Sequence, residues 1–284
     1  MKVVVAKSAG FCWGVRRAVD LAQKATAEAG TVYTDGPLIH NEHQTARLRA
    51  AGVEESRDPA ALPAGTTLLV RAHGISPERR RVLETLPVNL VDATCPDVAK
   101  IQRIVSQAAE GGATVLILGD PGHAEVVGLE GYAGARGRVV TSPEDVETLP
   151  ADLGHVCLVS QSTQPECTFE ATAAAVLKRF PGASIVNTIC RATRNRQGEL
   201  NALAVDADAF VVVGSAASAN TQRLAQLARR LRPTFLVDTA EQLDPADFTG
   251  FTQVAVTAGA STPDFIIEAV AARLASFQPA GKLS

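Results

Sequence analysis

The chain has 284 residues, 46% of them apolar, and a formal net charge of −3. That length is enough for more than one compact domain at about 100–200 residues each, and the slightly acidic balance excludes a broad basic surface for nucleic acid. Five cysteines in so long a chain do not make a disulfide framework, and no apolar run approaches membrane-spanning length. The expectation is a soluble, cytoplasmic protein with reduced thiols and with neither a nucleic-acid nor a membrane partner.

In chain order, the apolar run Val3–Ala6 precedes a helical pattern at Val15–Ala29. Thr67–Ala72 follows, then the helical stretch Val98–Ala109 and the runs Thr114–Leu118 and Val156–Val159. Thr168–Phe180 is helical, Ala209–Val213 strand-like, Thr221–Leu231 helical, Val254–Thr257 strand-like and Asp264–Leu274 helical. The short runs mostly do not alternate, which suits strands buried on both faces. The fold class is therefore α/β with mainly parallel sheets.

Unusual polar residues cluster just after these runs. His73-Gly74 follows Val70-Arg71-Ala72, and Gly119-Asp120-Pro121-Gly122-His123-Ala124-Glu125 follows Ile117-Leu118. Ser160 to Thr163, Ser218-Ala219-Asn220 and Ser261-Thr262-Pro263 close three further runs. Ligands of open α/β sheets bind at the carboxyl ends of strands, so these loops suggest one composite pocket. Ser261 and Ser218 stand where capping hydroxyls start helices, with Pro263 at an expected first helical position. Helix N-termini attract anions, and with His40 and His73 they suit a phosphate or diphosphate. There is no P-loop, and Gly112 and Gly119 form no dinucleotide fingerprint.

Cys157 lies in a strand-like run and reads as a small core residue, while Cys167 is open between surface and function. Cys12, Cys95 and Cys190 instead occupy loops marked by Gly, Pro or Thr, each just before a helical stretch. Three similar α/β units, each giving one cysteine to a common centre, would explain that regularity. With no C-x-x-C, a zinc ribbon or common ferredoxin spacing is excluded, and both metal ligation and a structural role stay open. Glu125 is equally a helix N-terminal acid or a proton donor. His43 and His155 lack the strand-end setting of His40, His73 and His123.

Seven motifs occur in order: Gly10-Phe11-Cys12-Trp13-Gly14-Val15, Ile39-His40-Asn41, Ala72-His73-Gly74, Asp92-Ala93-Thr94-Cys95-Pro96, His123 to Gly128, Asn195-Arg196-Gln197 after Cys190, and Thr257-Ala258-Gly259-Ala260-Ser261. From Val3 to about Leu274 the chain resembles the 4-hydroxy-3-methylbut-2-enyl diphosphate reductase family, which performs the last step of the non-mevalonate isoprenoid pathway. The resemblance implies three α/β domains arranged as a trefoil around one 4Fe–4S cluster per chain, expected here at about 1–95, 96–189 and 190–284. It implies Cys12, Cys95 and Cys190 as cluster ligands, with one iron left open for the substrate hydroxyl. His40, His73, Ser218, Ala219, Asn220 and Ser261 match the positions that hold the diphosphate. His123 and Glu125 match the proton-delivery region, with Glu125 the donor, and Ser162 matches a Thr that positions the substrate hydroxyl. Ala219 stands where the pattern often has Ser, and Ala216-Ala217 where more polar residues are usual.

The implied reaction is reductive dehydroxylation to isopentenyl and dimethylallyl diphosphate. With no flavin or nicotinamide site in view, electrons are expected from a reduced ferredoxin or flavodoxin. Two other readings fit a cluster-binding chain: a paralogue acting on a related phosphorylated allylic alcohol, and a non-catalytic iron–sulfur redox sensor.

Overall fold

The computed structural model describes residues 1–277. The first stretch runs β1 (Lys2–Val5), α1 (Trp13–Ala29), β2 (Val32–Asp35), α2 (Glu42–Ala50), β3 (Val53–Ser56), β4 (Thr67–Val70), α3 (Pro77–Glu84) and β5 (Asn89–Asp92). The middle runs α4 (Pro96–Glu110), β6 (Thr114–Leu118), α5 (Ala124–Ala133), β7 (Gly137–Val140), α6 (Pro143–Thr148), β8 (Val156–Ser160), α7 (Glu166–Arg179) and β9 (Ser184–Ile185). The last stretch runs α8 (Arg191–Leu203), β10 (Ala209–Val213), α9 (Ala219–Arg229), β11 (Thr234–Val237), β12 (Gln253–Ala258) and α10 (Asp264–Ala275).

The strands form three four-stranded sheets, ordered β3-β2-β4-β5, β7-β6-β8-β9 and β11-β10-β12-β1, and every pairing is parallel. The expected α/β class with parallel sheets is what the chain adopts. One internal pattern repeats three times: a first strand flanked by the second on one side, then the third, then the fourth at the far edge. The last repeat takes its fourth strand from the N-terminus, with Lys2 to Val5 in register with Gln253 to Val256. The third sheet is thus a circularly permuted copy of the other two. Residues 2–5 extend the sheet of the C-terminal third, although chain order assigns them to the first.

Two compact units result. One comprises Met1–Val15, His40–Ala46 and the chain from Arg191 on, built on the third sheet; the other comprises Arg16–Ile39 and Arg47–Cys190, built on the first two. In the first unit, β10 explains the apolar runs: Ala209, Val211 and Val213 face a core with Ile266, Ile267 and Val270 of α10, while Phe210 and Val212 face Leu224, Ala225 and Ala228 of α9. In the second unit, Leu116 and Leu158 face Phe169 and Val176 of α7, and Val115, Ile117 and Cys157 face Ile101 and Val105 of α4 and Val126 and Leu129 of α5. Helices on both faces bury these strands completely, so they read as unbroken apolar runs. No helix of the described residues is long and apolar enough to cross a membrane.

Candidate active site

The threefold pattern places the polar loops in equivalent positions. The loop after each first strand carries His40, then His123 and Glu125, then Ser218, Ala219 and Asn220. The loop after each third strand carries His73, then Ser162, then Ser261. Each fourth strand leads to a cysteine: β5 to Cys95, β9 to Cys190 and β1 to Cys12. All nine loops leave the carboxyl ends of parallel strands, the ligand-binding end of α/β sheets. Each cysteine immediately precedes a helix: α1 starts at Trp13, α4 at Pro96 and α8 at Arg191.

In the second unit, Glu125 is 2% exposed in the first turn of α5 and Ser162 is 7% exposed. Ser162 donates its backbone N–H to Glu125 Oε1 at 2.6 Å and its hydroxyl to Oε2 at 2.8 Å. The Ser162 carbonyl in turn accepts the Cys190 N–H at 3.0 Å. One residue therefore joins the buried acid to a cysteine. His123 caps α5, its Nδ1 accepting the Glu125 N–H at 3.1 Å, which places the ring proton of the neutral imidazole on Nε2. The rings of His73 and His123 meet edge to face with centroids 5.5 Å apart.

The Cys95 loop is tied down from below. Arg17 of α1 donates to the carbonyls of Asp92 and Thr94 at 3.3 and 3.2 Å. Asp92 accepts the Thr94 N–H at 2.8 Å and pairs with Arg80 at 2.5 Å. Burial works against the Asp92 charge, but hydrogen bonds from Thr94 and Arg80 outweigh it and hold the carboxyl below its ordinary value.

In the first unit, Ser218 caps α9, its Oγ accepting the Thr221 N–H, as its sequence setting suggests. Ser261 does not cap α10; Pro263 occupies that cap, and Ser261 Oγ donates to the His40 carbonyl at 2.8 Å. A hydroxyl two residues short of the cap cannot reach the first free N–H groups, so it takes the nearest carbonyl instead. Among the buried side-chain donors without an acceptor in the described residues are Asn220 Nδ2 and Asn41 Nδ2. Leaving an amide donor unmet costs about 1–3 kcal/mol, so acceptor oxygens of a ligand would fit here. Gly259 lets the two strand-end loops close up: a Cβ on it would overlap Thr221 Oγ1.

Cys12, Cys95 and Cys190 are half-buried and none is in a disulfide. Each of these thiols stands just before the positive end of a helix and is a soft donor of the kind that iron–sulfur clusters take, so the chemistry of the three residues fits that group. Cys157 is core, 4% exposed, with burial pushing its thiol above its ordinary pKa. Cys167 is exposed in the first turn of α7.

Several supporting residues escape a reading of strand-end loops. Gln161 is fully buried and its Oε1 accepts the Asp120 N–H at 3.1 Å, bracing the loop that carries His123. Thr188 accepts the Ser160 N–H and donates back to its carbonyl, bracing the approach to Cys190. Gln161 was legible only as a member of the strand-end cluster Ser160 to Thr163; Thr188 offers no signal beyond its place two residues before a cysteine.

A three-sheet α/β chain with a buried acid and a cysteine on each edge-strand loop has known counterparts. The model of the LytB protein family matches residues 3–275, and the chain belongs to that family. A 4-hydroxy-3-methylbut-2-enyl diphosphate reductase of Opitutus terrae is 44% identical over 287 residues, covering 96% of this chain and 99% of that one. The solved E-1-hydroxy-2-methyl-but-2-enyl-4-diphosphate reductase of Plasmodium falciparum superposes with a TM-score of 0.89 at 28% identity, covering 94% of this chain and 86% of that one. A second solved structure, described as the terminal enzyme of the non-mevalonate pathway, gives 0.73 at 37% identity over 97% and 99% of the two chains.

Proposed function

We propose that the chain is an oxidoreductase that removes the hydroxyl of 4-hydroxy-3-methylbut-2-enyl diphosphate to give isopentenyl and dimethylallyl diphosphate. The observation that carries this reading is the buried Glu125, held by Ser162, whose carbonyl holds the Cys190 N–H. A redox sensor has no use for such an acid beside a metal ligand.

Cys12, Cys95 and Cys190 are the ligands of a 4Fe–4S cluster in this reading. Bound there, the cluster would supply electrons and one iron without a protein ligand, a Lewis acid for the substrate oxygen. The reaction consumes two electrons and two protons: the C–O bond breaks, the oxygen leaves as water, and a C–H bond forms at either end of the allylic system. Hydroxide is a poor leaving group, so the departing oxygen needs a proton, and Glu125 provides it. Ser162 orients Glu125 and reaches the same oxygen with its hydroxyl. His123 presents Nε2–H, and with His40, His73, Ser218, Asn220 and Ser261 it grips the diphosphate, whose remote binding energy fixes the reacting end. Asn220 Nδ2 gains its missing acceptor from a phosphate oxygen, and Ser261 must turn from the His40 carbonyl to donate. Ala219 contributes its backbone N–H alone. Each sheet with its helices acts as one of three domains, and a separate ferredoxin or flavodoxin delivers the electrons.

The test is anaerobic purification followed by iron analysis and turnover with an artificial electron donor. Brown protein with about four irons per chain that converts the hydroxylated diphosphate is the expected result. Colourless protein that stays inactive after cluster reconstitution would rule the reading out.

A further inference from the structure

We propose that Arg196 and Glu199 of α8 are positioning residues for Cys12, fixing the loop that sets where its sulfur stands. The inference rests on the reading of Cys12 as a cluster ligand. The two side chains lie three residues apart, on one face of the helix. Glu199 accepts the Lys7 N–H at 2.7 Å, the Ser8 N–H at 2.9 Å and the Ser8 hydroxyl. Arg196 is 4% exposed; it donates to the Gly10 carbonyl and, at 3.2 Å, to the Ala192 carbonyl. Gly10 itself is at φ +99°, a left-handed conformation, and a Cβ there would lie 2.6 Å from Asp264 Oδ1. Cys12 donates its N–H to the Ala260 carbonyl at 3.1 Å, and its Sγ accepts the Val15 N–H at 3.4 Å.

From the end of β1 to the sulfur, the backbone is therefore held at Lys7, Ser8, Gly10 and Cys12. A loop that only had to cover a sheet end would not need two charged side chains on its main chain. Charge-assisted bonds are roughly twice as strong as neutral ones and are directional, which is what fixing a ligand atom requires. Burial opposes the Glu199 charge, but the Ser8 and Lys7 donors outweigh it and hold the carboxyl below its ordinary value, so the clasp is anionic at neutral pH. Glu199 and Arg196 reach the loop from the helix that begins one residue after Cys190.

The test compares wild-type, Glu199→Ala, Glu199→Gln and Arg196→Lys full-length proteins, purified anaerobically. It reads iron release to a chelator, the paramagnetic resonance spectrum of the reduced protein, and alkylation rates of each cysteine in iron-free protein by mass spectrometry. Glu199→Ala should release iron about tenfold faster, alter the spectrum, and raise alkylation at Cys12 while leaving Cys95 and Cys190 at wild-type rates. Glu199→Gln, which still accepts hydrogen bonds, should recover part of the loss. If Arg196→Lys fails to fold, the Glu199 pair decides. Wild-type iron retention and Cys12 alkylation in folded Glu199→Ala would overturn the proposal, and so would an equal rise at all three cysteines, which marks general loosening. A wild-type protein that takes up no iron would instead overturn the ligand reading, and this inference with it.

Discussion

Ser162 gives Glu125 two hydrogen-bond donors, the backbone N–H to Oε1 and the hydroxyl to Oε2. The two differ in what they allow. The backbone N–H can only donate. The hydroxyl can turn and accept when the carboxyl carries a proton, so a proton on Oε2 finds a partner in Ser162. Glu125→Gln should keep its iron and lose about a hundredfold or more in kcat, the usual worth of a positioned acid. Ser162→Ala should lose about tenfold, through misplacement of the carboxyl, and Ser162→Thr should restore it. Rates from single-turnover experiments check this, and normal turnover in Glu125→Gln would remove Glu125 from the mechanism.

The five cysteines should separate cleanly by substitution. Serine at Cys12, Cys95 or Cys190 should lower the iron content per chain. Cys157→Ser should keep iron but lose about 1–3 kcal/mol of stability, because it places a hydroxyl in the apolar layer between β8 and α4. Cys167→Ser should change neither. Iron assay and thermal melts decide; full iron in any of the first three variants sinks that ligand.

Gly259→Ala should act on substrate affinity through packing. The new methyl overlaps Thr221, which is fully buried in the first turn of α9. Overpacking of this kind costs about 1–3 kcal/mol and displaces the helix start that carries Ser218 and Asn220. Stability should fall and KM rise, with kcat less affected. A destabilised variant with wild-type KM would show that the helix start does not hold the substrate.

Asp92 predicts a pH dependence. Its carboxyl is depressed in the fold, so its stabilising share is present above the unfolded value and lost as pH falls through the folded one. Asp92→Asn should therefore melt lower than wild type at neutral pH, and the two curves should converge in acid below about pH 4. A melting difference that persisted unchanged at pH 3 would contradict the link.

The sequence shows central strands well and edge strands poorly. Thr114–Leu118 and Ala209–Val213 are buried on both faces and stand out as apolar runs. Val53-Glu54-Glu55-Ser56 and Gly137-Arg138-Val139-Val140 are edges with solvent-facing residues, and their composition resembles loops. Cys12, Cys95 and Cys190 were legible as helix-preceding loop residues because Gly, Pro and Thr mark those turns. Their equivalence after three edge strands was not, since it depends on β1 completing a sheet begun at residue 209. Ser261 shows the other limit: its sequence setting looks like a cap, but the His40 carbonyl, distant in sequence, takes its hydrogen bond. Arg17 and Glu199 look like solvated helix charges until their partners on the cysteine loops are known, and Arg196, though part of a motif, does not disclose its partner on the Cys12 loop.

The pairing of β1 with β12 also sets a schedule for synthesis. Val4 is synthesised long before its register partner, Ala255. Contacts so distant along the chain form late, after shorter-range sheets such as β2 to β5 have closed. The segment leading to Cys12 therefore takes its place in the sheet only once residues 253–256 have been made. A chain cut short of β12 would leave the strand that leads to Cys12 without its partner in the sheet.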